Sequence, residues 1–294
     1  MKYDRFNRFE GTSWAFWQFN EYETQINSAY WSGVAAVSRA SYEIRRSAPP
    51  VNARVVMHAT GTDAQRISAE GPAFVANLGE FLKWNRASFI LAATGAFETY
   101  IWRVVLTALM SDPAALHGKS RAIDGATWLK LGLRPDYSDI KKRVTKDTWF
   151  QRYAAVRNIF GEIPALSSRV PELDQIRIFR NNAGHAFGRD LTVEPNLTAR
   201  TTERMRTIDD TKFKEWLGVI SKSAKAIDSV LVKNHIGDFE PMIHFHNYYE
   251  SLGTVKPGIS SAFASQYKLA LAKTEGHSKG NEYALTLIRA YLNA

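Results

Sequence analysis

The apolar residues between Phe74 and Val104 recur at steps of three, four or their multiples, and this spacing constrains the fold most strongly. The residues that follow it are Phe74, Leu78, Phe81, Phe89, Ala93, Phe97, Ile101 and Val104. Such a period draws one apolar stripe along a long helix. No run with a period of two extends beyond about five residues. The sequence therefore predicts an all-α fold.

Three further segments carry an apolar stripe with the same period. They comprise Trp149 to Phe160, ending at Gly161; a segment that starts near Pro171 and runs to Gly184; and Phe213 to Leu231, which follows the N-cap cluster Asp209, Asp210 and Thr211. Helices with one apolar face bury it against each other. Together with the first stripe, these segments predict an up-and-down helical bundle.

The regions on both sides of this bundle also have helical patterns. One helix is expected before the Ser47 to Pro50 break, and two are expected in the tail, after Ser261 and over "NEYALTLIRAYLN". The chain is therefore expected to contain an N-terminal helical extension at 1–72, a helical bundle at 73–233 and a C-terminal helical region at 234–294.

The charge balance favours a polyanionic partner. The 294 residues include 38 Lys and Arg against 29 Asp and Glu, which gives a formal net charge of +9. A surplus of this size is typical of proteins that bind nucleic acid, although a protein that is merely basic carries equal weight. With no cysteine, the chain has no disulfide, thiolate metal site or cysteine nucleophile. Neither a secretory signal nor an apolar window of membrane-spanning length is expected, so we expect a cytoplasmic protein without a membrane contact.

The stretch "IFRNNAGHAFGRD" places an arginine, two asparagines and a histidine where a helical pattern runs out. On a helical wheel, Arg180 falls within the same arc as Leu173, Ile176, Phe179 and Ala183. A guanidinium in an apolar arc needs a carboxylate, a partner chain, a ligand phosphate or a water-filled cleft. Arg180 is therefore a candidate site residue.

His185 follows Arg180 by five residues. In a continuous helix, the two side chains would diverge by about 140°. Gly184 readily adopts the left-handed conformation that ends a helix, so a turn at this glycine is expected to bring the imidazole back toward Arg180. The alternative is that the arginine, histidine and glycine form an ordinary helix stop.

The segment "RNNAGH", Arg180 to His185, resembles the Arg-polar-x3-His motif of the HEPN superfamily. Members of that superfamily are all-helical bundles, and many are metal-independent ribonucleases of bacterial toxin and phage-defence systems. "GAFETYIWRVV" is similar to the first long helix of such domains, and the resemblance covers about residues 73–233. It implies a HEPN-like bundle with helical N- and C-terminal extensions. Where one toxin subfamily has a tyrosine, this chain has Phe187.

The resemblance implies an endoribonuclease with no cofactor and no metal. RNA supplies its own nucleophile, the 2′-hydroxyl, so the protein must only move protons and stabilise charge on the phosphate. His185 would transfer protons, Arg180 would hold phosphate oxygens and Asn181 would orient the histidine or donate to the phosphate. Two such motifs would meet in a homodimer, with an antitoxin or another defence protein as a further partner.

A basic run precedes the second bundle helix. Lys141, Lys142, Arg143 and Lys146 belong to it, and Arg152 and Arg157 lie inside the helix. These residues are candidates for contacts with the RNA backbone. The alternative is a solvated helix face, which is the more common role of a charge run.

Two weaker signals complete the sequence interpretation. Glu98 is a candidate carboxylate partner for Arg180, or alternatively an exposed helix residue. His244 and His246 could hold a metal, but no further histidine completes a ligand set. The main alternative to a ribonuclease is a non-catalytic HEPN-like module that binds nucleic acid, a nucleotide or a protein through Arg180 and His185.

Overall fold

The computed structural model describes residues 4–7, 11–186 and 207–294. Over these ranges the chain is helical without a strand, and an isolated bridge joins Asn52 and Glu70. The predicted all-α class is confirmed. The α-helices are α1 Trp14–Arg46, α2 Ala53–Val56, α3 Gly71–Ser111, α4 Gly125–Lys130, α5 Ser138–Thr145, α6 Trp149–Phe160, α7 Pro164–Ser167, α8 Val170–Ala186, α9 Asp210–Leu231, α10 Phe239–Ser251, α11 Ser261–Glu275 and α12 Asn281–Asn293.

Every stripe found in the sequence lies on a helix. The four bundle stripes correspond to α3, α6, α8 and α9, and the flanking patterns correspond to α1, α11 and α12. Local capping fixes two of the boundaries. Thr148 and Gln151 form a reciprocal capping box at the start of α6, and the side chain of Asp209 accepts a hydrogen bond from the backbone N–H of Lys212 at the start of α9. Polar side chains thus satisfy backbone donors that the first helical turn leaves unpaired.

The chain forms two compact units that alternate along the sequence. The first unit comprises Met1–Phe19, Glu98–Pro171 and Lys222–Ala294, and the second comprises Asn20–Phe97 and Glu172–Ser221. Residues of the range 73–233 contribute to both units.

Aromatic packing dominates the C-terminal part of the first unit. The ring of Phe245 on α10 lies 4.9 Å from the ring of Tyr267 on α11 and 5.2 Å from that of Tyr291 on α12. Phe245 and Tyr267 are fully buried, and the Tyr267 hydroxyl donates to the backbone oxygen of Pro241 at 2.7 Å. Burial of large rings with satisfied hydroxyls stabilises such a core strongly.

The second unit has its own aromatic core. Tyr30 on α1 packs against Phe213 on α9, with ring centroids 4.3 Å apart, and against Phe89 on α3. Phe179 on α8 contacts Trp216 on α9 at a centroid distance of 5.2 Å. The apolar faces of these helices are therefore buried against each other, as one-sided helices require.

Helix α3 is long and apolar enough to cross a membrane by length and composition alone. It is the one such helix in the part of the chain that the structure describes, and it corrects the expectation that no window reaches that length. Core helices of water-soluble proteins meet the same criterion when they are hydrophobic all round. Ile90, Phe97, Ile101, Val104 and Leu109 of α3 are fully buried within protein.

Candidate functional site

The motif lies on α8, Val170–Ala186. Leu173, Ile176 and Phe179 of this helix are buried, whereas Ile178, on the other side of the wheel, is 46% exposed. The buried face is therefore the one that the 3.6-residue period predicts.

Arg180 sits at the edge of this buried face and is half-buried, as is Asn181. Nη1 of Arg180 donates a hydrogen bond to the side-chain oxygen of Asn181 at 3.1 Å. Because the amide oxygen accepts from the guanidinium, the two side chains of the motif support each other. A guanidinium is a planar group whose donors match the oxygens of a phosphate or carboxylate.

Gly184 does not end the helix. Helix α8 continues through His185 to Ala186, and Gly184 is absent from the glycines with positive φ. The expectation that a left-handed turn at Gly184 returns His185 toward Arg180 is wrong. Five residues along a continuous helix separate the two Cβ directions by about 140°.

The structure describes the end of the motif region only in part. The helical backbone at His185 is described, but the His185 side chain lies outside the description, as does Phe187 entirely. The role assigned to His185 remains a prediction.

Glu98 binds an arginine other than the one proposed for it from the sequence. Its Oε1 accepts a hydrogen bond from Nη1 of Arg152 at 3.0 Å. The side chains of Arg152 and Glu98 are 6% and 19% exposed. Pairing of Glu98 with Arg180 remains a prediction, and the exposed-residue alternative for Glu98 is wrong.

Arg152 is not available for the RNA backbone in this conformation. Besides Glu98, its guanidinium binds the backbone oxygens of Lys146 and Asp147, each at 3.2 Å from Nε. A buried arginine with three acceptors ties the start of α6 to the preceding loop. Arg152 is therefore not a candidate for contact with RNA.

The other basic candidates face solvent. Lys141, Lys142 and Arg143 lie on α5 and Lys146 directly follows it, and all four are exposed. Arg157 on α6 is also exposed and pairs with Glu162 at 3.5 Å. Exposed lysines and arginines in one short stretch can reach a phosphate backbone without a desolvation cost.

His244 and His246 are two residues apart on α10 and have separate partners. His244 Nε2 lies 3.1 Å from the Thr274 hydroxyl, and His246 Nδ1 lies 2.6 Å from the Tyr291 hydroxyl. Burial lowers the pKa of both imidazoles. Among the described residues, no group of three or more His, Cys, Asp or Glu could hold a metal ion.

The first unit also contains a polar cluster around buried Asp112 and His235, which no sequence motif indicates. The Asp112 carboxylate accepts hydrogen bonds from the Ser120 hydroxyl at 2.5 Å and from the Arg121 backbone N–H at 2.7 Å, and it lies 2.8 Å from Nδ1 of His235. Ser120 lies on the Nδ1 side of the imidazole at 3.5 Å. A serine nucleophile would need a base nitrogen that is not already turned to the carboxylate. The cluster therefore joins the segment after α3 to the π-helical turn Val232–Ile236.

Comparisons with known proteins identify no relative. No family model, no curated protein and no solved structure matches this chain. The side-chain chemistry of the two units is therefore the basis for a functional assignment.

Proposed function

We propose that the chain is a cytoplasmic, metal-independent endoribonuclease of a toxin or antiphage defence system. The observation that carries this proposal is the half-buried Arg180, which lies beside buried Phe179 and is bonded to the neighbouring Asn181. An arginine held at the edge of an apolar face is a suitable binder for phosphate oxygens, because its planar fork is pre-organised. The likeness of "RNNAGH" to the HEPN motif supports the same assignment.

Three side chains have separate roles in the proposed reaction. Arg180 binds the non-bridging phosphate oxygens and stabilises the charge that grows in the transition state. His185 removes the proton of the RNA 2′-hydroxyl or protonates the departing 5′-oxygen, and a histidine suits both tasks near neutral pH. Asn181 holds the guanidinium by accepting its hydrogen bond. The products carry a 2′,3′-cyclic phosphate or 3′-phosphate and a 5′-hydroxyl.

A homodimer fits this chemistry better than a single chain. Because α8 continues through Gly184, the positions of Arg180 and His185 in one chain lie about 140° apart around the helix axis. One active site containing both side chains is more easily formed when two copies each contribute a residue. Exposed Lys141, Lys142, Arg143 and Lys146, with Arg157, are the proposed contacts for the RNA backbone.

The same divergence favours a second candidate function. A module that binds nucleic acid, a nucleotide or a protein partner needs Arg180 as an anion contact but does not need His185 beside it. In that case His185 only belongs to the last turn of α8, where a histidine interacts favourably with the helix dipole.

Cleavage of total RNA by the purified chain distinguishes the two functions. We expect cleavage in the presence of EDTA, with 5′-hydroxyl ends, and a loss of about 100-fold or more in both Arg180→Ala and His185→Ala. Arg177→Ala, three residues before Arg180, is a matched control because its guanidinium pairs with Asp174 on the same helix at 2.7 Å. Cleavage at the wild-type rate by a folded His185→Ala protein would contradict the proposal that this motif is the active site of a ribonuclease. RNA binding that requires Arg180 but leads to no cleavage would favour the binding module.

A further inference from the structure

The first unit contains a cavity that the proposed ribonuclease chemistry does not use. It has a volume of about 450 Å³ and lies among α3, α4, α10 and the loop that follows α4. Sites for small molecules in proteins typically have volumes of roughly 300–1,000 Å³. Close backbone packing forms one side, since a Cβ atom at Gly125 would clash with the backbone oxygen of Met110. The cavity is thus large enough for a small organic ligand.

The walls of the cavity are mainly apolar and aromatic. Leu106 and Met110 of α3 and Ile243 of α10 supply aliphatic surface, and Trp128 supplies an aromatic side chain. A ligand body that is flat and apolar would gain the most from such walls, because both dispersion and apolar burial favour it.

A histidine lies at one end of the cavity. His246 lines the cavity, and its Nδ1 lies 2.6 Å from the Tyr291 hydroxyl. Burial raises the pKa of Tyr291 to about 12, so this hydroxyl keeps its proton, and burial lowers the pKa of His246, which favours the neutral ring. In the tautomer in which the Tyr291 hydroxyl donates to Nδ1, the neutral imidazole carries its hydrogen on Nε2 and can donate it.

An exposed arginine lies at the same end of the cavity. Arg134 lines the cavity and is exposed, and its positive charge is close enough to lower the pKa of His246. Arg134 has no hydrogen bond or ion pair with any residue of 4–7, 11–186 or 207–294. Glu250 and Lys256, the other charges that act on His246, pair with each other at 3.3 Å. Within the part of the chain that the structure describes, the guanidinium therefore leaves about one uncompensated positive charge at this end of the cavity.

We propose that this cavity binds a small carboxylic acid with a flat apolar body. The Tyr291 hydroxyl donates to Nδ1 of His246, the carboxylate accepts hydrogen bonds from the Arg134 guanidinium and from the Nε2–H that this tautomer leaves, and the body lies against Trp128 and Ile243. A monoanion matches the single uncompensated charge, and a carboxylate matches the planar fork of arginine. The site is independent of Arg180 and His185.

Calorimetric titration of the full chain with three naphthalene probes tests this assignment. The probes are naphthalene-2-carboxylate, the neutral naphthalene-2-carboxamide and 2-naphthyl phosphate. We expect the carboxylate to bind at least about tenfold more tightly than either of the others, which corresponds to one charge-assisted contact. Arg134→Gln should remove that advantage and leave carboxamide binding within about twofold. Arg45→Gln, which also removes one exposed arginine, should change neither affinity.

A filled cavity provides the second arm of the test. Ile243→Trp adds a large ring to a half-buried lining residue and should abolish binding of all three probes, and Leu106→Phe serves the same purpose if the first variant does not fold. Equal affinity for carboxylate and carboxamide would overturn the proposal, as would the absence of binding by the wild type at about 1 mM probe. Tighter binding of the phosphate would overturn the carboxylate class in favour of a phosphate ester.

Discussion

At the residue scale, Arg152 shows how a charged side chain can belong to a core. Because Arg152 follows the basic run, the sequence suggests a contact with RNA. Arg152 also lies three residues after buried Trp149 and four before buried Val156. This spacing puts Arg152 on the buried face of α6. The helical period therefore predicts the burial of Arg152 correctly, whereas its proximity in sequence to Lys146 does not indicate a contact with RNA.

We expect Arg152→Ala to lower the free energy of unfolding by about 1–3 kcal/mol, because it removes a buried guanidinium together with its bonds to Glu98 and to the backbone oxygens of Lys146 and Asp147. Arg157→Ala on the same helix is the matched control. Arg157 is exposed, and its pair with Glu162 should be worth less than about 1 kcal/mol. Urea denaturation of both variants measures the difference. Similar losses of unfolding free energy in the two variants would mean that the Arg152–Glu98 pair stabilises the fold no more than an exposed ion pair does.

The half-buried Glu23 carboxyl is expected to make the stability of the fold depend on pH. Burial raises the pKa of this carboxyl, and the hydrogen bond from the Ser221 hydroxyl at 3.2 Å opposes the rise only in part. A pKa that is higher in the folded state contributes stability at low pH, and that contribution is lost as the pH rises through the folded value. Replacing Glu23 by Gln removes the ionised form while retaining an acceptor for Ser221. The stability of Glu23→Gln relative to the wild type should therefore increase from pH 4 to pH 7 in thermal unfolding, whereas a constant difference would contradict burial as the cause.

At the scale of the element, the end of α8 decides how the motif works. Gly184 lies inside the helix, without a positive φ, and an added Cβ would meet Leu91 Cδ2 at 3.6 Å, an ordinary contact distance. Gly184→Ala should therefore raise the free energy of unfolding by about 0.5–1 kcal/mol, since alanine is the better helix former. If the glycine instead ended the helix in the left-handed conformation, the same change would be destabilising by about 1–2 kcal/mol. Chemical denaturation distinguishes the two signs.

The helices that the sequence predicts are those with one apolar face. Helix α10 carries no such signature, because its consecutive residues Phe239, Glu240, Pro241 and Met242 are all buried. A helix buried on several sides has no dominant 3.6-residue period. The cluster of Asp112, Ser120 and His235 is hidden for another reason, since the histidine is 115 residues from the serine. Arg134 likewise follows a loop with no recognisable spacing, and only folding brings it toward His246.

At the scale of the whole molecule, the net charge of +9 becomes informative when it is assigned to a surface. We expect combined replacement of Lys141, Lys142 and Arg143 by Ala to weaken RNA binding whatever the RNA sequence. If all three side chains contact phosphates, the slope of log K against log salt should fall in magnitude by about two units. Combined replacement of Arg39, Arg45 and Arg46, which are exposed on α1, removes the same charge and should leave the slope nearly unchanged. Equal effects of the two triple variants would indicate that net charge alone attracts the RNA.

The number of chains that form one active site can be tested by mixing two inactive variants. In the proposed homodimer, each site takes Arg180 from one copy and His185 from the other. Neither an Arg180→Ala homodimer nor a His185→Ala homodimer contains an intact site. A mixed dimer of the two variants has one site with both side chains missing and one site with both present. Mixing the two inactive proteins under exchange should therefore restore about one quarter of the wild-type cleavage rate, since half of the dimers are mixed and each has one working site.

The control for this experiment is a mixture of Arg180→Ala with an Arg180→Ala, His185→Ala double variant, in which no dimer contains an intact site. Sedimentation at micromolar concentration, with and without RNA, establishes that dimers form and exchange. A monomer under both conditions would contradict the composite site. Exchange without recovery of cleavage would mean that Arg180 and His185 act within one chain, and the end of α8 would then have to bend on binding RNA to reduce the separation of about 140° between them.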